Sequence, residues 1–288
     1  MGTRNENIMS DTIDYFTEAR SEAAVNSRMG PETAPRLATV MAALIKHLHA
    51  FAKEVELSQE EWGLAIDFLT RTGQMCDENR QEFILLSDTL GLSMLVDALS
   101  HRRPPGATEN TVLGPFHVAG APEYPMGANI SLDGKGESCL FTGVVRDLDG
   151  SPIAGARIDV WCDNAEGYYD VQQPGIQPRW NNRGIFTTGA DGQYLFRGIR
   201  PVAYPIPDDG PVGQMLTALG RHPNRPAHMH FIVTAPGRET IVTHTFVEGD
   251  QWLASDAVFG VKGSLIATME PGTDTIWQSR FDFIMTPT

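Results

Sequence analysis

Cysteine and basic residues are scarce in this sequence of 288 residues, and each scarcity excludes a class of protein. The three cysteines, Cys76, Cys139 and Cys162, are odd in number and form no Cys-x-x-Cys pair, which excludes a disulfide framework and a thiolate zinc site. The 22 Lys and Arg residues are outnumbered by 36 Asp and Glu, so the formal net charge is -14. Because a phosphate backbone is bound by clustered cations, we expect no nucleic acid among the partners.

Long apolar runs are also missing from the sequence. No run approaches the ~18 apolar residues of a membrane span, and residues 1–18 lack the apolar segment of a secretory signal. We therefore expect a soluble, cytoplasmic protein without membrane insertion. With 41% apolar and 20% charged residues the composition is that of a globular protein, and the length allows one large domain with an appendage or two domains.

Residues 12–99 contain few glycines, and their apolar residues recur every three or four positions, which predicts helices. Ser58 and Glu61 have the spacing of a capping box and predict that a helix starts before Trp62. A later apolar face is interrupted at Gly91. The first apolar face consists of Leu37, Val40, Met41, Leu44, Ile45 and Leu48.

The segment 101–125 is rich in Pro and Gly and predicts an ordered loop or linker. Beyond it, short runs of β-forming residues alternate with turn residues. Asp149-Gly150 predicts a hairpin between strands at 140–146 and 156–161.

Pro236-Gly237 separates two further strands, at 228–234 and 240–247. Several short strands with frequent turns indicate a β-sandwich. We therefore predict an α+β fold, with a helical N-terminal domain over residues 1–105 and a mainly antiparallel β-sandwich domain over residues 106–288.

His228 and His230 are the first candidates for chemistry, because side chains two positions apart on a strand point to the same face. Two imidazoles on one face are suited to binding a metal ion. The alternative is one buried, hydrogen-bonded histidine and one exposed histidine. A cupin would need a glutamate four or five residues after the second histidine, where this sequence has Thr234 and Ala235, so the cupin fold is excluded.

Tyrosines are the remaining candidate ligands, since no cysteine or carboxylate is suitably placed. Tyr194 fits the alternation of its strand and is expected to pack, whereas Tyr168, Tyr169 and Tyr204 lie in irregular segments rich in Gly or Pro. A phenol has an unperturbed pKa of about 10, so only a strong Lewis acid ionises it at neutral pH. This chemistry favours Fe(III) over zinc.

Four segments together resemble the intradiol ring-cleavage dioxygenases, and the resemblance extends over nearly the whole chain. It implies that Tyr169, Tyr204, His228 and His230 bind Fe(III), with Tyr169 preferred to Tyr168 by the Gly-x-Tyr pattern. It also assigns catalysis to the β-sandwich domain. The segments are Gly143-Val-Val-Arg-Asp147, Ala165-Glu-Gly-Tyr-Tyr169, Tyr204-Pro-Ile-Pro-Asp-Asp-Gly-Pro-Val212 and Gly220-Arg-His-Pro-Asn-Arg-Pro-Ala-His-Met-His230.

The resemblance implies catalytic roles for three residues. Arg225 would stabilise negative charge on a bound diolate, although a strand-end arginine paired with a surface carboxylate is the alternative. Tyr204 is the ligand expected to leave the metal and act as a base. His244 stands where catechol-cleaving members of the family usually carry a glutamine.

The segments 204–213 and 243–250 resemble the branch that cleaves hydroxyquinol (1,2,4-trihydroxybenzene), with catechol as the alternative substrate. A carboxylate at Asp88 could accept a hydrogen bond from the third hydroxyl, or Asp88 could instead be a helix N-cap. The resemblance implies a substrate pocket lined by Leu85, Asp88, Val112, Leu113, Gly114, Pro115, Phe116, Ile206, Pro207, Arg225 and Val258.

Two other classes of protein remain as alternatives. Residues 143–199 also resemble a prealbumin-like binding module, and a zinc hydrolase is possible in principle, although no His-Glu helix motif is present. The family resemblance implies instead that a small aromatic diol and O2 are the partners. It further implies a homodimer formed through the N-terminal helices, which can enclose a lipid tail.

Overall fold

The computed structural model describes residues 15–78, 80–272 and 276–288. Most of the segment 1–18, in which no secretory signal was predicted, lies outside these ranges. The chain forms two compact units, Met1–Thr70 and Arg71–Thr288. The division predicted between residues 105 and 106 stays a prediction.

The helices confirm the helical period seen in the first third of the sequence. Ser58 and Glu61 form the predicted capping box, since the Ser58 N–H donates to Glu61 Oε2 at 2.9 Å and the Glu61 N–H donates to Ser58 Oγ at 3.2 Å. The interruption at Gly91 separates two short helices. The helices are α1 (Ser21–Asn26), α2 (Pro35–Glu54), α3 (Gln59–Gln74), α4 (Glu82–Thr89), α5 (Leu92–Ser100) and α6 (Pro211–Ala218).

One helix, α6, was not expected from the sequence. The sequence predicts an irregular segment around Tyr204, and α6 follows it, beginning at Pro211, a residue well suited to the first turn of a helix. In the described part of the chain, no single helix is long and apolar enough to cross a membrane. The bent pair α4 and α5 meets that test only when the two are taken together, at an angle of 80°.

The strands of the described residues form two five-stranded sheets and a small ribbon. These strands are β1 (Ser138–Asp147), β2 (Arg157–Trp161), β3 (Arg183–Thr187), β4 (Gln193–Ile199), β5 (Tyr204–Pro205), β6 (Asn224–Arg225), β7 (His228–Thr234), β8 (Ile241–Val247), β9 (Ile266–Ala267), β10 (Met269–Pro271), β11 (Trp277–Arg280) and β12 (Phe283–Met285). In the first sheet the order is β10-β11-β1-β12, with β4 also paired to β1, and in the second it is β3-β2-β7-β8-β9. Most pairs are antiparallel, and the parallel pairs are β1 with β11, β1 with β12 and β8 with β9.

The core lies between the two sheets, which confirms the β-sandwich. Phe141 and Phe196 of the first sheet stack with ring centroids 4.9 Å apart, and Phe196 also lies 6.4 Å from Phe231 of the second sheet. Tyr194 belongs to the same core and donates its hydroxyl to the Phe281 carbonyl at 2.7 Å. Its predicted packing role is therefore confirmed.

The predicted hairpin at Asp149-Gly150 is correct as a turn but wrong as a strand pair. The chain does reverse there, since the Asp147 N–H donates to the Ser151 carbonyl at 2.8 Å. The following strand β2 then joins the opposite sheet, where it pairs with β3 and β7. The strands on either side of Pro236-Gly237, in contrast, form the expected antiparallel pair of β7 and β8.

Candidate active site

Strand β7 places two histidines on one face of the second sheet. Met229 and Phe231 point into the core between the sheets, so His228 and His230 lie on the opposite face, where both are buried. Both imidazoles are enclosed, so the alternative of one buried and one exposed histidine does not apply.

Neighbouring strands supply aromatic rings beside His230. Trp161 on β2 and His244 on β8 are both in register with His230. The Trp161 ring stacks on the His230 ring at 4.6 Å, and the His244 ring meets it edge-on at 4.2 Å. The Thr111 hydroxyl lies 2.6 Å from His244 Nδ1 and holds that ring in place.

Tyr169 lies at the end of a loop that is held rigid by the side chain of Asn164. Asn164 Oδ1 accepts the N–H groups of Glu166 and Tyr168, each at 3.0 Å. Gly167 adopts a positive φ of 82°, and a Cβ on it would lie 3.0 Å from the Tyr204 Cβ. Glycine therefore lets this loop approach the segment of Tyr204.

A buried ion pair anchors the far side of the same loop. Arg183 Nε donates to Asp170 Oδ1 at 2.6 Å, and both side chains are almost completely buried. Asp170 Oδ2 also accepts the N–H of Trp180 at 2.9 Å. Because Asp170 directly follows Tyr169, this pair fixes the backbone from which the phenol projects.

Tyr204 and Arg225 are brought together by the two-stranded ribbon. They face each other in the pairing of β5 with β6, although 20 residues separate them in sequence. Both side chains are buried beside the histidines of β7. Arg225 Nη1 lies 3.3 Å from His228 Nε2.

The two phenols and the two imidazoles converge on one point. Tyr169 Oη lies 2.9 Å from His230 Nε2 and 3.2 Å from Tyr204 Oη, and Tyr204 Oη lies 3.4 Å from His228 Nε2. Tyr168, in contrast, is exposed. The structure thus brings together the four residues named as ligands and leaves Tyr168 apart from them.

Both imidazoles are held in a form that can bind a cation. His228 Nδ1 lies 2.6 Å from the Pro226 carbonyl, which can only accept, so Nε2 of the neutral ring carries the lone pair. Burial, assisted by the charge of Arg225, lowers the pKa of His228 to about 3. Burial also lowers the pKa of His230 well below its usual value.

The phenols, in contrast, need a cation before they can ionise. Burial raises the pKa of Tyr169 well above its usual value, and it raises that of Tyr204 against the opposing charge of Arg225. A bound cation reverses this effect, because it stabilises phenolate. Two imidazole nitrogens and two phenol oxygens in mutual contact therefore fit a strongly Lewis-acidic metal ion. The ligand nitrogens of His228, His230 and His244 also lie within 4.8 Å of one another.

Arg225 is paired with a buried carboxylate, not with a surface one. Its Nε donates to Asp256 Oδ1 at 3.1 Å and its Nη2 to Oδ2 at 3.3 Å. Burial by itself would lower the pKa of Arg225, but the charge and hydrogen bonds of Asp256, together with the phenols of Tyr204 and Tyr169, outweigh it and raise the pKa. The guanidinium therefore stays charged beside the phenols.

The residues named for the substrate pocket fall into two groups. Leu85 of α4 packs on a buried apolar cluster, and the residues that make up this cluster are Ile206, Leu216, Ala257 and Val258. The loop 111–116 covers the histidine face: a Cβ on Gly114 would lie 3.0 Å from His230 Cε1, and Phe116 stacks on Tyr169 at 4.6 Å. Val112 in this loop is half-buried, whereas three named residues are exposed: Leu113, Pro115 and Pro207.

Asp88 does not cap a helix. It lies in the last turn of α4, and the N-cap of α5 is Gly91, so the alternative role suggested for Asp88 is wrong. Its carboxyl is half-buried, and burial raises its pKa despite the hydrogen bond of Ser93 and the charge of Arg225.

Several residues that shape the site were not identified from the sequence. Trp161, Asp170, Arg183 and Asp256 were not named as functional. Asp256 lies 31 residues after Arg225, and no sequence pattern links the two. Trp161 shares the strand face of Arg157 and Asp159, so alternation along the strand gave no sign that it would be buried beside a histidine.

Comparison with known proteins identifies the family. A family model described as "Dioxygenase" matches residues 113–287, and one described as "Catechol dioxygenase N terminus" matches residues 34–108. The chain is 61% identical over 256 residues to a hydroxyquinol 1,2-dioxygenase of Rhizobium sp., covering 89% of this chain and 87% of the relative. It is 52% identical to a 6-chlorohydroxyquinol 1,2-dioxygenase of Cupriavidus pinatubonensis, covering 92% and 96%.

A solved structure gives the same result. The hydroxyquinol 1,2-dioxygenase of Pseudomonas putida superposes with a TM-score of 0.90 at 45% identity, over 94% of this chain and 99% of that one. Such coverage includes both the helices and the β-sandwich. The chain therefore belongs to the intradiol ring-cleavage dioxygenases, a family of non-haem iron enzymes.

Proposed function

We propose that this enzyme opens the ring of hydroxyquinol between its two adjacent hydroxylated carbons. Both atoms of O2 enter the product, 3-hydroxy-cis,cis-muconate, the enol form of maleylacetate. The convergence of two phenols and two imidazoles beside a charged arginine carries the proposal. The names of the similar proteins support the choice of hydroxyquinol. Catechol, giving cis,cis-muconate, is the second candidate, because catechol 1,2-dioxygenases are also among the similar proteins.

The proposed ligands of the iron are Tyr169, Tyr204, His228 and His230, and the proposed oxidation state is Fe(III). When bound, ferric iron supplies the Lewis acidity that ionises the phenols and a diol substrate. The neutral imidazoles and the two closely spaced phenols of this chain support that assignment.

Tyr204 and Arg225 are proposed to handle the proton and the charge of the substrate. Tyr204 Oη would accept a proton from a diol hydroxyl as the substrate binds. The neighbouring guanidinium of Arg225 would stabilise the negative charge that the diol then carries. Their pairing on the β5–β6 ribbon keeps base and cation next to each other.

His244 is proposed as a further catalytic group. Its Nδ1 contacts Thr111, while its buried Nε2 has no hydrogen-bond partner among the described residues. A buried polar atom without a partner is costly, so a bound molecule that contacts Nε2 would be stabilised.

The substrate is proposed to lie between α4 and the loop 111–116, against the pocket residues named from the sequence. Asp88 would accept the hydrogen bond of the third hydroxyl, which catechol lacks. A half-buried carboxylate that hydroxyquinol satisfies and catechol does not gives a physical basis for selectivity.

Metal analysis and turnover together test the function. We expect about one iron per chain, and a higher kcat/KM for hydroxyquinol than for catechol with maleylacetate as product. Zinc in place of iron would indicate a hydrolase, and absence of any metal with no ring cleavage would favour a binding module.

Tyr169→Phe tests the ligand set. We expect at least a ~100-fold loss of kcat and a weaker tyrosinate-to-iron absorption band, because one phenolate is removed. Tyr168→Phe is the matched control, since the neighbouring phenol is exposed and should be dispensable. If the two variants behave alike, the ligand assignment is wrong.

We also propose a cytoplasmic homodimer that associates through its N-terminal helices and can enclose a lipid tail there. The exposed apolar side chains of α2 support the association. The domain division near residue 105 belongs to this proposal, because the family models meet between residues 108 and 113.

A further inference from the structure

The carboxylate of Asp256 is the most highly connected acidic group near the proposed site. Besides the two bonds from Arg225, Oδ1 accepts the N–H of Val258 at 3.3 Å and Oδ2 accepts the N–H of Gly260 at 2.8 Å. The side chain is almost completely buried. It accepts four hydrogen bonds from three residues, so both oxygens are used and the carboxylate is held in one orientation.

The loop that carries Asp256 is shaped closely around the guanidinium. A Cβ on Gly260 would lie 2.9 Å from Arg225 Nη2 and 3.1 Å from Asp256 Oδ2. Phe259, which precedes Gly260 in the same loop, adopts a positive φ of 58°, a conformation that bulky residues rarely adopt. This strained residue lies where the loop closes over the ion pair of Arg225 and Asp256.

The ion pair uses two nitrogens of Arg225 and leaves Nη1 on the side of the histidines. Nε and Nη2 point to Asp256, whereas Nη1 lies 3.3 Å from His228 Nε2. The fork therefore determines which guanidinium nitrogen faces the histidines and the phenols. A carboxylate behind Arg225 holds it in place without occupying the substrate side.

We propose that Asp256 is a positioning residue for the reaction: its carboxylate, with Gly260, forms a socket that aims Nη1 of Arg225 at the bound diol. The inference rests on the proposed role of Arg225, but it holds for any diol that the enzyme cleaves. Asp256 itself does not touch the reacting atoms.

Asp256→Asn is the first test, with iron-loaded enzyme and whichever diol the wild-type protein cleaves. We expect kcat to fall by about 10–100-fold with little change in KM, as for other residues that orient an active-site group. The tyrosinate-to-iron band of the resting enzyme should be unchanged, because neither phenol contacts Asp256. Unchanged kcat in a folded, iron-loaded variant would overturn the proposal.

Asp282→Asn is the matched control. Asp282 also accepts a backbone N–H, that of Val144 at 3.0 Å, and pairs with Arg146 at 3.6 Å, but it lies between β11 and β12, beside the first sheet. Removing its charge should leave kcat within about twofold of wild type, since it is remote from the site. An equal loss in both variants would mean that Asp256 acts only on stability.

Gly260→Ala keeps the proposal testable if Asp256→Asn does not fold. The added methyl group removes no hydrogen-bonding group and needs no unusual φ, but it must push the flexible end of Arg225 out of its socket. We expect a loss of kcat with a small change in thermal stability. A folded Gly260→Ala variant with wild-type kcat would contradict the socket.

A double-mutant cycle gives the sharpest result. In an Arg225→Met background, Asp256→Asn should cost nothing further in kcat, because the residue acts through Arg225. Losses that multiply would show an action independent of Arg225 and overturn the proposal. Anaerobic titration with catechol, followed by visible absorption, measures diol binding separately, so failure of the proposed substrate and failure of the socket are distinguishable.

Discussion

Asp88 is the acidic side chain of the proposed substrate pocket, and it projects from the last turn of α4 with its carboxyl half-buried. Asp88→Ala should lower kcat/KM for hydroxyquinol by about 10–100-fold, the value of a lost hydrogen bond to a charged group. Catechol should lose little, because it has no third hydroxyl to bind there. Steady-state kinetics with both diols measure the difference, and equal losses would remove the selective role.

Asp170 and Arg183 form a buried ion pair behind Tyr169, so removing one charge leaves the other unpaired. Asp170→Asn should lower the free energy of unfolding by about 3 kcal/mol and also reduce iron content. Glu166→Gln in the same loop is the control, since Glu166 pairs with Lys135 on the exposed surface and should change stability by less than about 1 kcal/mol. Urea unfolding and metal analysis measure both effects. Similar losses of stability and iron in Asp170→Asn and Glu166→Gln would argue against a role of the ion pair in holding the Tyr169 loop.

The difference between these two carboxylates could not be read from the sequence. Asp170 and Glu166 lie four residues apart beside the same tyrosine pair, and both are acidic residues in a loop. Only the fold buries Asp170 against Arg183 of β3 and leaves Glu166 exposed. Burial, which decides the energetic weight of a charge, is a tertiary property.

At the scale of elements, Arg221 joins α4 to the loop that carries Asp256. Its Nη1 donates to the Thr89 carbonyl at the C-terminal end of α4 at 2.6 Å, and its Nη2 donates to the Ala257 carbonyl at 2.9 Å. The guanidinium also lies over the Phe259 ring, 4.9 Å from its centroid. One side chain thus holds together the elements that carry Leu85 and Val258.

Arg221→Met should therefore destabilise the protein by about 2 kcal/mol, because two charged hydrogen bonds to carbonyl groups are lost. KM for the diol should rise as α4 loosens over the pocket. Arg102→Met, at an exposed position, should change the free energy of unfolding by less than about 0.5 kcal/mol. Urea unfolding and diol kinetics measure the two effects. The same free energy of unfolding and the same KM in Arg221→Met and Arg102→Met would contradict the prediction.

Elements defined by local patterns were predicted well, whereas the sheet that β2 joins was predicted wrongly. The helical period and the capping box gave α2 and α3, and Pro236-Gly237 gave the pair of β7 and β8. The turn at Asp149-Gly150 was also correct, but β2 crosses to the other sheet. A turn depends on a few dihedral angles, whereas the sheet a strand joins depends on apolar burial across the whole domain.

At the scale of the whole molecule, α2 exposes a row of large apolar side chains that includes Leu44 and Leu48. If this face forms the proposed dimer, Leu44→Glu combined with Leu48→Glu should produce a monomer, because two carboxylates would be buried at the interface. Lys46→Glu is the control, as it places a carboxylate on the same helix at a position that is already charged. Sedimentation velocity gives the mass, and a double variant that stays dimeric would exclude this face.

Iron chemistry was determined by the sequence itself, because the features that indicate it are local. The two-residue spacing of His228 and His230 places both rings on one face of any strand, and the family resemblance of the Gly-x-Tyr and Tyr-Pro segments predicts Tyr169 and Tyr204 as the two phenols. The tertiary structure decided what surrounds them: Trp161 and His244 in register with His230, Arg225 opposite Tyr204, and Asp256 behind Arg225. These contacts join residues from separate strands and loops, so they follow from sheet pairing and burial rather than from any periodicity along the chain.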